Sequence, residues 1–115
     1  MSDLLEFGRD IQGFNAFAPS FANNKYSASL TSGGSDSITV PANYTNWIAA
    51  FSYEPGAIIW VAVGASAAAP AGNTFAATDS ELLPASRTVK SGEVIDFYNH
   101  GANIADVGVN LYAVT

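Results

Sequence analysis

The run Trp47-Ile48-Ala49-Ala50-Phe51-Ser52-Tyr53-Glu54-Pro55-Gly56-Ala57-Ile58-Ile59-Trp60-Val61-Ala62-Val63 decides the fold. Its two apolar stretches, 47–53 and 58–63, are short and rich in aromatic and β-branched residues, which favour a pleated, buried backbone. Between them stands Glu54-Pro55-Gly56-Ala57. Proline presets φ at the second position of a turn, and glycine takes the positive φ that a type II turn needs at the third. The segment therefore reads as a hairpin of two central strands, apolar on both faces. One face meets a core. A wet second face would leave Trp47, Phe51 and Tyr53, with Trp60 or with Ile59 and Val61, as a large apolar patch.

The flanking sequence continues the strand pattern. Residues 25–30 alternate, with Tyr26, Ala28 and Leu30 on one face. After the loop at 31–35, residues 36–40 alternate again, with Ile38 and Val40 inward and Pro41 as a stop. On the other side of the central segment, residues 64–72 form a low-complexity alanine-rich loop. Pro70 and the short length disfavour a helix there. Further strands are predicted at 74–77, 81–83, 87–90, 94–98 and 106–114. Ser91-Gly92 is a two-residue hairpin signal, and the last strand turns Val107, Val109, Leu111 and Ala113 to one side. About eight short strands at this spacing predict an all-β, single-domain antiparallel sandwich, jelly-roll-like in its strand number.

Residues 1–23 differ. They hold Phe7, Phe14, Phe17 and Phe21 and no valine. A helical turn is possible at 3–7, after which Gly8, Gly13 and Pro19 interrupt regular structure. This predicts an irregular arm (1–23) ahead of the sandwich (24–115). The arm either packs across its own domain or docks on a neighbouring subunit.

Composition narrows the function. Only 12% of the 115 residues are charged, the net charge is −6, and Glu54 is the single charge between positions 37 and 78. Ala, Gly, Ser, Thr and Asn supply 58 residues, so small neutral groups build much of the surface. Four scattered basic residues form no phosphate-tracking stripe, which argues against direct nucleic-acid binding and against an anionic membrane surface. The N-terminus lacks the basic and apolar regions of a secretory signal, and the apolar run 57–71 is too short to span a bilayer. The chain has no cysteine, so disulfide and thiolate chemistry are excluded.

Catalytic patterns are weak. His100 is the only histidine and stands in a polar loop with neither nucleophile nor orienting acid nearby in sequence. Gly64-Ala65-Ser66-Ala67-Ala68 approaches a nucleophile elbow, but Pro70 and Gly72 follow where a helix is required. The carboxylates do not cluster, and no loop has the oxygen density of a calcium site. The sequence thus predicts no enzyme, no cofactor and no metal. Charge depletion with Trp and Tyr anchors suits protein–protein packing. The interface candidates are Phe7, Phe14, Phe17, Phe21, Trp47, Phe51, Tyr53 and Trp60.

The segments at 58–64, 70–84, 87–98 and 105–114, together with the leader Asp3-Leu4-Leu5-Glu6-Phe7-Gly8-Arg9-Asp10 through Pro19, look like those of small virion proteins of tailed bacteriophages. The type they resemble most is the head decoration, or cement, protein. The resemblance implies a small β-rich module that binds the major capsid protein shell, pairs with itself as a trimer or dimer, and stabilises the head against internal DNA pressure. It implies a place on the capsid surface after synthesis in the host cytoplasm. Tail and fibre proteins share this look. A rival of another class is a lectin-like carbohydrate-binding sandwich presenting Trp47, Tyr53, Tyr98 and Tyr112.

Overall fold

A computed structural model describes residues 3–5, 7–9, 15–19, 21–72 and 74–114; over 7–9 and 15–19 it is the backbone that is described. The strands are β1 (Phe7–Arg9), β2 (Asn15–Pro19), β3 (Asn24–Leu30), β4 (Ser35–Thr39), β5 (Asn46–Tyr53), β6 (Ile59–Val63), β7 (Glu81–Leu82), β8 (Ser86–Lys90), β9 (Val94–Asn99) and β10 (Ala105–Val114). The chain is all-β. Two four-stranded antiparallel sheets, ordered β3-β10-β5-β8 and β4-β9-β6-β7, form a sandwich with jelly-roll strand order.

The core follows from alternation along the strands. On the first sheet, Tyr26 of β3, Val109 of β10 and Phe51 of β5 form one cross-strand row, and Ala113, Trp47 and Val89 another. Ile59, Val61, Ile95 and Phe97 of the second sheet face them in a single cluster with Leu30, Val40, Val107 and Leu111. β10 lies between β3 and β5, and its residues alternate buried and outward along its whole length. The inward sets predicted for β3, β4 and β10 are the ones observed.

The tight turns lead elsewhere than expected. The turn at Pro55-Gly56 exists: Ala57 N–H donates to the Glu54 carbonyl at 3.0 Å, and Gly56 has φ +82°. It does not join a hairpin, because β5 and β6 belong to different sheets. Ser91-Gly92 behaves alike. Glu93 N–H closes on the Lys90 carbonyl at 3.2 Å and Gly92 has φ +79°, yet β8 pairs with β5, and β9 pairs with β4 and β6. Both turns are arches that carry the chain across the core. The reason is that each flanking strand has one face destined for the core, so a bend between sheets buries both. Within the sandwich only β6 and β7 are both consecutive and paired, and the long excursion 64–80 separates them.

Two further expectations are corrected. The strand predicted at 74–77 is a 3₁₀ turn, Phe75–Ala77, closed by Ala77 N–H on the Thr74 carbonyl at 3.0 Å. The helical turn expected at 3–7 is absent over residues 3–5, where Leu4 bridges Ala113 in parallel and Leu5 N–H donates to the Ala113 carbonyl at 2.7 Å. The N-terminal arm, expected to be irregular, forms a two-stranded ribbon in which Phe7 pairs with Pro19 and Arg9 with Asn15, with a register irregularity between them.

Candidate interaction surface

Two places stand out on the surface: the base of the N-terminal ribbon and the outer face of the second sheet.

The ribbon is rooted beside β10. Asp3 and Leu5 bond the backbone of Ala113, Asn24 Nδ2 donates to Asp3 Oδ1 at 3.0 Å, and Ala22 is buried where the chain returns. From that base β1 and β2 pair with each other and join neither sheet of the sandwich. Phe21 stands at the root, 77% exposed, with Lys25 Nζ 5.6 Å from its ring centre. The predicted side-chain roles of Phe7, Phe14 and Phe17 lie outside the described residues.

The other aromatic candidates separate by strand parity. Trp47 is 0% exposed, its ring sits in the core, and its Nε1 donates to the Tyr44 carbonyl at 3.0 Å. Phe51 packs edge-on to Phe97 and stacks with Tyr53, both as part of the core lining. The Tyr53 hydroxyl donates to the Pro84 carbonyl at 2.7 Å, and burial pushes its pKa well above the ordinary tyrosine value, against a smaller downward pull from Arg87. The patch feared from Trp47, Phe51, Tyr53, Ile59 and Val61 is thus the sandwich core itself.

Trp60 points the opposite way. In register across the second sheet it stands between Tyr98 of β9 and Leu82 of β7, and Ser35 of β4 lies beyond Tyr98. The excursion 64–80 folds back over this outward side. Asp96 Oδ2 accepts Ala67 N–H at 2.6 Å, Ser80 Oγ accepts Ala68 N–H at 3.0 Å, and Thr78 Oγ1 donates to the Ala68 carbonyl. Phe75 then caps Trp60 edge-on, ring centres 5.5 Å apart, and is itself 65% exposed. Trp60 Nε1 is buried without a hydrogen-bond partner, the one such side-chain atom among the described residues. A buried donor left unmade costs about 1–3 kcal/mol.

Next to Leu82, Leu83 holds φ +47°, the only non-glycine residue with positive φ among the described residues. That conformation costs a residue with a Cβ about 1–2 kcal/mol. The bond from Leu83 N–H to the Ile59 carbonyl at 3.0 Å fixes it.

Three carboxylates of the sandwich have structural duties. Asp96 pins the excursion, Glu93 accepts Lys90 N–H at 2.6 Å, and Glu81 pairs with Arg87 at 2.7 Å across the open edge between β7 and β8. His100 is exposed beside Tyr98, with ring centres 5.8 Å apart, and its backbone N–H donates to the Ile58 carbonyl. Among the described residues no group of three His, Asp or Glu converges as a metal site. A cleft of about 270 Å³ opens at the loop end between Glu54, Ile58, Asn103 and Ile104.

Asn99 behind that cleft escaped sequence reasoning. It is 0% exposed, its Nδ2 is shared among the carbonyls of Leu30, Thr31 and Asn103, and its Oδ1 accepts Gly101 N–H at 2.9 Å. It ties the 30–34 and 99–105 loops together. In sequence it is one polar residue of a polar run.

Compared with protein-family models, with curated proteins and with solved structures, the chain finds no match.

Proposed function

We propose that this chain is a non-enzymatic structural protein of a bacteriophage virion: a head decoration, or cement, protein that binds the major capsid protein shell from outside and stabilises it. The observation that carries the reading is the N-terminal ribbon. The molecule measures 54 × 27 × 24 Å, and its radius of gyration is 15.6 Å, against about 13 Å for a compact domain of this length. A two-stranded ribbon is at best marginally stable by itself, so one that joins neither sheet gains most from an external surface. The resemblance of the leader and the second half to phage virion proteins supports the same role. So does the scarcity of charge, since a neutral surface is cheap to desolvate against protein. Many copies on one shell make modest contacts add up through multivalency. The lectin-like alternative loses two of its four platforms, because Trp47 and Tyr53 are committed to the core.

The test is cosedimentation with expanded shells of the major capsid protein encoded alongside this chain. The expected result is saturable binding by the full chain and loss of binding when residues 7–19 are replaced by Gly-Gly, which keeps the Asp3–Asn24 anchor. Full-chain protein that stays in the supernatant overturns the proposal.

A further inference from the structure

The excursion 64–80 that roofs Trp60 is held unevenly. Its two limbs form a pinned neck. Gly64 N–H donates to the Val94 carbonyl at 3.0 Å, and Ala67 N–H to Asp96 Oδ2. Ser80 Oγ accepts Ala68 N–H, Thr78 Oγ1 donates to the Ala68 carbonyl, and Ala67 and Ser80 are buried. The excursion's one charge, Asp79, is exposed on the return limb. Beyond the neck lies the tip, 69–77. Its backbone hydrogen bonds close on the tip itself, from Thr74 N–H to the Ala71 carbonyl and from Ala77 N–H to the Thr74 carbonyl. The Phe75–Ala77 turn contains no buried residue. Among the described residues no hydrogen bond or ion pair joins the tip to the sandwich, and its one ring contact is the edge-on packing of Phe75 on Trp60.

We infer that the 69–77 tip is a flap that opens and closes over Trp60 while the neck and the sandwich stay folded. Closing gains one ring pair and a little apolar cover. It costs the tip its backbone freedom. It also strips water from Trp60 Nε1, which is buried with no acceptor. Opening returns that N–H to water. The gain and the costs are of similar size, so the flap opens at a free energy far below that of the whole fold. Gly72 shapes the closed form. Its φ is +59°, and a Cβ there would meet nothing within 4 Å, so backbone conformation and not space reserves the position for glycine. Opening uncovers the cross-strand row Tyr98–Trp60–Leu82. The chain thus carries its own cover for that row, and the flap sets how often the row is presented. The inference goes beyond the virion reading and does not depend on it.

The test is hydrogen exchange of the two indole N–H groups of the full chain, followed by NMR. Trp47 Nε1–H is bonded in the core and serves as the internal standard. Trp60 Nε1–H is expected to exchange at least about tenfold faster than Trp47 Nε1–H, at a rate that low urea leaves unchanged, because local opening exposes little surface and global unfolding exposes much. Phe75→Ala is expected to speed Trp60 exchange about fivefold, the worth of one edge-on ring pair, with Trp47 exchange and the urea midpoint unchanged. Gly72→Val, strained at a left-handed φ, is expected to do the same, and Gly72→Asn, which tolerates that conformation, is expected to leave the rate as in wild type. Four results overturn the inference. Trp60 and Trp47 exchanging together with one urea dependence makes the tip part of the cooperative fold. Wild-type Trp60 exchanging as fast as N-acetyltryptophanamide means that nothing is closed. Unchanged Trp60 exchange in Phe75→Ala removes the latch. Equal rates in Gly72→Val and Gly72→Asn remove the part assigned to Gly72.

Discussion

Trp47 and Trp60 occupy consecutive strands in similar apolar runs, yet one closes the core between the two sheets and the other lies on the outer side of its sheet, under the 64–80 excursion. Trp47 lies on the inward parity of β5, between Ala113 and Val89, and its N–H is satisfied by Tyr44. Trp60 lies on the outward parity of β6, roofed by Phe75, with its N–H unsatisfied. The difference teaches that in strands apolar on both sides, hydrophobicity says that a residue is covered and parity says by what. Coverage by the opposite sheet is dense and cooperative. Coverage by a strap of Ala, Gly and Ser is thin.

That contrast can be broken at its strong end first. Trp47→Ala should destabilise the fold by about 3–5 kcal/mol, the range for emptying a large aromatic site, read from urea unfolding. Asn99→Ala should cost about 2 kcal/mol, because carbonyls of two loops lose a shared buried donor, and hydrogen exchange should rise in residues 30–34 and 99–105. Tyr53→Phe should cost about 1 kcal/mol at neutral pH through the lost bond to Pro84.

Tyr53 also gives a pH signature. Its folded-state pKa is raised above the unfolded value of about 10 by burial. The stabilisation is therefore complete below about pH 10 and is lost as pH rises towards the folded value. Melting temperature should fall more steeply above pH 10 in wild type than in Tyr53→Phe. The smallest effect sharpens the comparison most. Trp47→Phe should lose about 1 kcal/mol with its hydrogen bond, whereas Trp60→Phe removes a donor that has no partner and should leave stability unchanged or slightly raised. Equal losses in the two variants would show that the two roofs are equivalent.

The strand content was legible because alternation is local: Tyr26, Ala28 and Leu30, or Val107 to Ala113, announce their inward side. The bends at Pro55-Gly56 and Ser91-Gly92 were legible too, since turn chemistry depends on φ alone. Their destinations were not. The same turn joins paired strands or carries the chain between sheets, and only the distant partners decide. Parity at Ile59 and Trp60 was hidden because both sides of β6 are apolar. The excursion that roofs Trp60 gave no periodic signal, and Asn99 acts through carbonyls at 30 and 31 that sequence proximity does not reveal.

The jelly-roll order has a consequence for how the molecule comes into being. β3 and β5 are held apart by β10, which pairs Leu30 with Ala105 and Tyr53 with Val107. Until β10 has left the ribosome, the first sheet lacks its central strand, and β3 and β5 expose unpaired edges. Contact order of this kind slows folding and lengthens the time such edges are open to aggregation. The nascent chain therefore cannot close its first sheet before β10 emerges, and the step that completes the sandwich is set by the arrival of that strand.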